Sequence, residues 1–319
     1  MKIGIIGAGQ LGSRHLQGVK IAEETINIDV VDPSEESLRI AKQRYEEIPE
    51  NNFLKKVCYL NSISQMSGEL DLVIIATSSK NRLSVIKDLL SSKKVKNMIL
   101  EKVLFQTKEE YYEAEKLFEK YAINVWVNCP RRMFSYYKNI KDSIQNDKII
   151  FQVVGGDWGL GCNGIHFIDC LAYLSGQREI TITTNGLDNK IHSSKREGYY
   201  EFSGTLTGKT ERGDVLVLSS LEKMNEAPIV TILSGSNKFI IDEINRKMIL
   251  SSTGNLEIQE IEVPFQSQLT GRIIKDLINN EIELTSYKES MELHLPFVKS
   301  LLEFYNDTTG EEGNSCPIT

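Results

Sequence analysis

The six residues Gly7-Ala8-Gly9-Gln10-Leu11-Gly12 follow a short apolar run, Ile3–Ile6, and open a stretch of helical character, Leu11–Glu24. A strand that ends in a tight glycine turn and feeds a helix begins a β-α-β unit, and that unit implies parallel pairing. Ile3–Ile6 is apolar without alternation, as expected of a strand covered on both faces. Asn27–Val31 is a second strand ending at Asp32, and Ser34–Glu47 carries Leu38, Ala41 and Tyr45 as a helical stripe. Val57–Leu60 is a third candidate strand and Leu72–Ala76 the clearest central one. Leu83, Ile86 and Leu90 mark the next helix, and Asn97–Glu101 the next strand. Thr107 with Glu110 makes a capping box before a helix whose inner face is Tyr111, Ala114, Phe118 and Tyr121; Ile123–Asn128 closes the series. Alternation at this spacing predicts an α/β fold, a doubly wound parallel sheet over residues 1–128.

The texture changes at residue 129. Helices are expected near Tyr136–Gln145 and across Ile165–Leu174. From Glu179 to Val263 strands of alternating pattern follow one another, separated by Gly and Asn, which predicts a largely antiparallel sheet. Two helices, Gln268–Asn279 and Tyr287–Tyr305, complete an α+β domain over 129–319, and they suit packing on either domain. The last stretch is polar until Cys316-Pro317-Ile318-Thr319, which is too apolar for an idle tail.

Length fits two domains: 319 residues at roughly 150 per domain. The net charge of −7, from 37 Lys+Arg against 44 Asp+Glu, opposes non-specific binding to nucleic-acid backbones. No apolar run approaches the ~20 residues of a membrane span. Glycines interrupt MKIGIIGAGQLG before any signal core forms, so a cytoplasmic location is expected. Five dispersed cysteines without CxxC and four dispersed histidines without HExxH argue for reduced thiols and against a zinc site; no metal is expected.

The glycine loop carries specific chemistry. Gly7 permits the tight turn, Gly9 lets a pyrophosphate approach the backbone, and Gly12 permits close helix–strand packing. The free N–H groups of the helix start receive phosphate oxygens. Asp32, twenty residues beyond Gly12, is placed to accept both ribose hydroxyls of NAD and to repel a 2′-phosphate. Pro33 and Ser34 follow it with no adjacent Arg, which favours NAD over NADP. The competing interpretation is a plain glycine turn beside a surface acid. His15, one turn beyond Gly12, either approaches the cofactor or is a satisfied helix histidine.

Further segments share an order with a known family. GIIGAGQLGSRH, ATSS before a helix, Glu101-Lys102-Val103, Asn128–Arg132 and GLGCNGIHFIDCLAYLSG together resemble the Gfo/Idh/MocA oxidoreductases, the group of glucose–fructose oxidoreductase and inositol dehydrogenase. The resemblance implies a Rossmann domain followed by a domain with an open antiparallel sheet that mediates dimers or tetramers. It implies hydride transfer between a nicotinamide and a hydroxyl or carbonyl of a sugar, sugar derivative or nucleotide sugar. Lys102 matches the lysine of the family's EKP motif, and His166 the histidine of its D-x-G-x-H motif. Lys102 is then the proton acceptor, its pKa lowered by NAD⁺ and a neighbouring cation, and His166 assists. The alternatives are a solvated strand-end lysine and a core histidine. By the same resemblance Gly7, Gly9, Gln10, Leu11, Gly12, Asp32, Thr77, Ser78, Glu101 and Lys102 bind the cofactor. Asn128, Arg132, Trp158, Asn163 and His166 meet the substrate.

The departures are equally specific. Cys162 stands where the family has Asp, Val103 where it has Pro, and Arg82 at a His position. Asp157 and Asn163 are the nearby candidates to compensate for the lost carboxylate. Arg82, Arg131 and Arg132 either bind an acidic group of the substrate or are structural. Asp169 is expected to cap or brace its helix rather than react. The missing Asp supports a rival reading, a non-catalytic NAD-binding sensor that regulates a partner.

Overall fold

The computed structural model describes residues 1–144 and 147–319; Gln145, the last residue of the helix expected from Tyr136, lies outside them. The chain forms two compact units. The first comprises Met1–Phe105, Glu109–Asn128 and Pro264–Tyr287, the second Gln106–Lys108, Cys129–Val263 and Lys288–Thr319. The elements run β1 (Lys2–Ile6), α1 (Gln10–Ile21), β2 (Ile26–Val31), α2 (Glu35–Glu46), β3 (Lys55–Leu60), β4 (Glu69–Ile75), α3 (Ser79–Ser92), β5 (Lys94–Leu100), α4 (Lys108–Lys120) and β6 (Asn124–Val127). Then follow α5 (Ser135–Ile144), β7 (Ile149–Gly156), α6 (Leu160–Ser175), β8 (Ile180–Ser193), β9 (Tyr200–Thr210), β10 (Val215–Leu221) and β11 (Ile229–Ser234). The last are β12 (Asn237–Asp242), β13 (Lys247–Ser252), β14 (Asn255–Glu260), α7 (Gln266–Asn279), β15 (Thr285–Ser286) and α8 (Tyr287–Thr309).

In the first unit the sheet order is β15-β6-β5-β4-β1-β2-β3, parallel throughout except for β15. β1 lies between β2 and β4, with Ile3 opposite both Ile28 and Leu72. Strand order therefore reverses beside β1, and in such sheets the carboxyl ends of the strands at that reversal form the ligand crevice. Ile3, Ile5 and Leu72–Ile75 are fully buried, which is why these strands read as unbroken apolar runs. α7 returns to this unit and crosses α1 closely: a Cβ on Gly18 would lie 2.6 Å from Thr270 Cβ and 2.8 Å from the Ser267 carbonyl oxygen. Tyr121 departs from expectation. It falls just past the end of α4 and is 40% exposed, while Tyr111, Ala114 and Phe118 form the buried face.

The second unit is built on an eight-stranded sheet, β14-β13-β12-β11-β7-β10-β9-β8. All its pairings are antiparallel except β7 with β10. The strand β7 has no counterpart in the sequence reading, although it sits near the middle of this sheet. One face, with Phe151, Val153, Leu216 and Leu218 buried, carries α6; the Phe151 and Phe167 rings are 6.4 Å apart. On the other face Ile150 and Leu233 stand opposite each other and remain exposed, as do Leu256 and Ile258. The apolar final residues prove to be core. Cys316 and Ile318 are fully buried, the Cys316 N–H donates to Gln106 O at 2.8 Å, and Tyr200 N–H to Pro317 O at 2.9 Å. Among the described residues no helix is long and apolar enough to cross a membrane.

Candidate functional site

In the first unit the glycine loop joins β1 to α1. Gly7 has φ +94°, a left-handed conformation that favours glycine, and a Cβ there would lie 2.9 Å from the Ala76 carbonyl. A Cβ on Gly12 would overlap the Gly7 carbonyl oxygen, so Gly12 is fixed by packing. Gly9 is different: a Cβ there would meet nothing within 4 Å. No packing inside the protein requires that glycine. The helix start beside it has no side-chain cap and no acid in its first turn, which leaves backbone N–H groups for an anion.

Asp32 ends β2 next to this loop, its carboxylate accepting from Ala8 N–H at 2.7 Å and Ser34 N–H at 2.9 Å. Gln10 accepts from the Arg44 guanidinium at 2.8 Å, and Leu11 is part-exposed. Beyond β4, Ser78 is the N-cap of α3 without a side-chain bond, and Thr77 Oγ1 is buried with no hydrogen-bond partner among the described residues. These residues all stand at the carboxyl ends of β1, β2 and β4. An uncapped helix start, open space at Gly9 and an acid at the end of β2 fit the pyrophosphate and ribose of a dinucleotide. Gly9→Val is expected to change unfolding free energy by no more than about 1 kcal/mol. The same change is expected to weaken NAD binding by at least about a hundredfold by excluding the pyrophosphate; calorimetry and thermal unfolding check the two halves.

Glu101 and Lys102 follow β5. Glu101 is buried, and its Oε1 accepts from His15 Nε2 at 2.8 Å and from Asn128 Nδ2 at 2.6 Å. The other nitrogen of His15 meets Thr270 Oγ1 at 2.9 Å, and Asn128 also donates to Gln266 Oε1 at 2.9 Å. Burial alone raises the pKa of the Glu101 carboxyl. The His15 hydrogen bond and charge, the Asn128 bond and the Lys102 ammonium together outweigh it and hold the group below its ordinary value. His15 is thus neither idle nor solvent-facing. With Gln266 and Thr270 from α7, it holds the segment immediately before the half-buried Lys102.

Arg82 is buried and donates to the carbonyl oxygens of Thr77, Val103 and Leu104 (the last at 2.6 Å), tying the loops after β4 and β5 together. Its role in the fold is structural. The Lys102–Val103 peptide is cis.

In the second unit the candidates gather at the start of α6. Trp158 donates its indole N–H to Ser219 O at 2.8 Å, and Asn163 Nδ2 donates to Trp158 O at 2.7 Å. His166 is half-buried one turn further along. Arg132 is engaged: Nε and Nη2 fork onto Asp169 at 3.0 and 2.8 Å, and Nη2 reaches Glu289 at 3.3 Å. Asp169 lies inside its helix and ties it to Arg132, so of the two expected roles it braces and does not cap. Arg131 forks likewise onto Glu243, at 3.1 and 2.8 Å. Asp157, considered above as a substitute carboxylate, is exposed and accepts from Lys223 N–H at 3.2 Å. The carboxylate that does reach the start of α6 is Glu201, which the sequence reading missed. It accepts from Gly161 N–H at 2.7 Å and Cys162 N–H at 3.1 Å. It lies 39 residues from Cys162 on another element, and no local spacing links them.

Residues 1–129 match the Gfo/Idh/MocA family, described as an oxidoreductase family with an NAD-binding Rossmann fold. No curated protein matches the sequence. Among solved structures it is similar to an oxidoreductase from Agrobacterium radiobacter in complex with NAD+, L-tartaric acid and magnesium. That likeness has 14% identity and a TM-score of 0.73, over 96% of this chain and 97% of that one. UDP-N-acetylglucosamine 3-dehydrogenase from Acidithiobacillus ferrooxidans aligns at 14% identity with a TM-score of 0.69, over 94% and 96%. A super-repressor mutant of Gal80p from Saccharomyces cerevisiae aligns at 13% with a TM-score of 0.72, over 98% and 96%. At these identities the likeness is one of fold.

Proposed function

We propose that the chain is a cytoplasmic NAD-dependent dehydrogenase or reductase acting on a CH–OH group of a sugar, sugar derivative or nucleotide sugar. The observation that carries this reading is the first unit's pairing of an open, uncapped glycine loop with a lysine that follows directly on the buried Glu101, whose Oε1 is bonded by His15 and Asn128. Gly7–Gly12, Asp32, Thr77, Ser78 and Glu101 would hold the dinucleotide, whose nicotinamide supplies or accepts hydride. Asp32 followed by Pro33 and Ser34 favours NAD over NADP. Lys102 takes the proton that a carbinol O–H releases as it becomes a carbonyl, and returns it in the reverse direction. His166 donates to or orients the reacting oxygen, while Asn128, Trp158 and Asn163 contact the substrate. Arg132, held by the Asp169 and Glu289 carboxylates, serves as a structural ion pair in its unit rather than as an anion binder. Five free, dispersed cysteines suit a reducing compartment.

Nicotinamide absorbance across a panel of sugars and nucleotide sugars, with NAD and NADP in parallel, tests the reading. Turnover with NAD at lower concentration than NADP is the expected result. Tight NAD binding with no turnover on any substrate would favour the sensor reading, which the thiol of Cys162 supports because it stands where the resemblance expects a carboxylate.

The same reading makes the chain a homodimer or homotetramer through the open face of the second sheet, where Ile150 and Leu233 lie exposed on adjacent strands. The double substitution Ile150→Asp/Leu233→Asp is expected to shift sedimentation to the monomer without unfolding the chain.

A further inference from the structure

Arg44, near the end of α2, lies against the first turn of α1. Its carbonyl oxygen accepts from Gln17 Nε2 at 2.8 Å, and its guanidinium donates to Ser13 Oγ at 2.7 Å and to Gln10 Oε1 at 2.8 Å. Ser13 is fully buried. A guanidinium can only donate, so the Ser13 hydroxyl must accept from it and turn its own proton elsewhere. The Ser13 hydroxyl in turn donates to the Gly9 carbonyl oxygen at 2.8 Å, with that of Gln10 further off at 3.2 Å. The Ser13 N–H reaches the same Gly9 oxygen at 3.0 Å.

These bonds orient the Gly9–Gln10 peptide. In a planar trans peptide the N–H points opposite to the C=O, so holding the Gly9 oxygen inside the first turn aims the Gln10 N–H outward from the helix start. Next to that N–H is the open space at Gly9, where a Cβ would meet nothing within 4 Å. A chain of donors that begins on a cation is polarised along its length, which strengthens the hold on the Gly9 oxygen. Gln10 is fixed by the same rule. Its amide oxygen faces Arg44, and its NH2 end is left for another acceptor.

The charge is placed against the helix. A cation beside the first turn opposes the α1 dipole, and α1 has no acid in that turn to offset it. Arg39, Arg131, Arg132, Arg212 and Arg272 each bond a carboxylate, whereas Arg44 donates to two neutral oxygens. Glu47, one turn further along, accepts from Gln17 Nε2 at 3.5 Å. A cation at this end of α1 is unfavourable while the loop is empty and favourable once an anion sits there.

We propose that Arg44 is a positioning residue for the pyrophosphate of the dinucleotide, acting through Ser13 on the Gly9–Gln10 peptide. The proposal deepens the dehydrogenase reading and rests on its dinucleotide part.

Arg44→Met and Ser13→Ala, singly and together in the full chain, are titrated by calorimetry with NAD, ADP-ribose and adenosine. Each single substitution is expected to weaken NAD and ADP-ribose by about tenfold and to leave adenosine, which has no pyrophosphate, unchanged. The double substitution is expected to lose no more than the larger single loss, because the two groups act in series. The unfolding midpoint of the empty R44M protein is expected to fall by no more than about 4 °C, since the cation it lacks opposed the dipole. Binding of NAD by the wild type that neither substitution weakens overturns the proposal and leaves the dinucleotide reading standing. An equal loss for adenosine, or a larger fall in midpoint, makes Arg44 a structural residue and overturns the proposal as well. Losses that multiply in the double variant overturn the route through Ser13. A wild type that binds neither NAD nor ADP-ribose overturns the dinucleotide reading and the proposal with it.

Discussion

Lys102→Met is expected to lower kcat/KM by about 10²–10⁴, the range over which a positioned general acid–base group contributes, while leaving the affinity for NAD unchanged. The expectation rests on where the residue stands. Lys102 follows β5 at the carboxyl edge of the parallel sheet, and the backbone just before it is pinned by the Glu101 N–H to the Ile75 carbonyl at 3.1 Å. Methionine keeps the length and the apolar stem of lysine and removes only the proton-accepting amine. The neighbourhood tolerates that loss. The Lys102 ammonium is the smallest of the influences lowering the Glu101 pKa, and His15 and Asn128 continue to hold the carboxylate. None of the groups fitted to the pyrophosphate and ribose is touched. Steady-state turnover on the best substrate and calorimetric NAD binding measure the two halves separately. Turnover equal to the wild type's would remove Lys102 from the chemistry; a matching loss of NAD affinity would leave it only the cofactor-binding role that the resemblance also implies.

The parallel sheet is legible in the sequence for a physical reason. Strands covered on both faces are unbroken runs of Ile, Val and Leu, and the glycine loop marks the first turn. The second sheet is read less completely. β7 escapes notice because Ile150 and Val154 occupy positions on its open face, so the alternation that announces a half-buried strand is blurred. An apolar residue on an exposed face hides the strand and at the same time marks a surface suited to a second copy. The return of α7 to the first unit also escapes local reading. Gly18 and Gly271, the residues that let α1 and α7 approach, are far apart in sequence, and neither carries a pattern of its own. The charged residues follow the same rule. Arg82, Arg131 and Arg132 look alike as free anion binders until their partners are known, and each partner comes from another element. Glu201 is the converse, an ordinary strand glutamate until the fold sets it on the first turn of α6.

His15→Leu is expected to destabilise the first unit by about 1–3 kcal/mol, the range for leaving a buried acceptor short of a hydrogen bond. His15 and Glu101 are both buried, so the leucine leaves the carboxylate with only Asn128 and the Lys102 charge to offset its burial. The penalty belongs mostly to the stranded charge and not to lost packing, since leucine nearly fills the space of the imidazole. A double-mutant cycle separates the two contributions: His15→Leu with Glu101→Met is expected to cost less than the sum of the single changes, by on the order of 2 kcal/mol. The pair also sets a pH dependence. The carboxyl of Glu101 has a folded-state pKa below its unfolded one, so its stabilisation is present above the ordinary carboxylate range and is lost as pH falls through the lower, folded value. Removing His15 takes away the two largest influences that lower that pKa, so the acid-side loss of stability owed to Glu101 is expected to be smaller in H15L than in the wild type, and the gap between the two proteins to narrow as pH falls. Urea unfolding from neutral pH down to the acid limit follows both effects. A midpoint unmoved by H15L at neutral pH would show that the histidine is a passive filler; a lowered midpoint with an unchanged acid limb would assign the loss to packing against Thr270 instead of to the charge on Glu101.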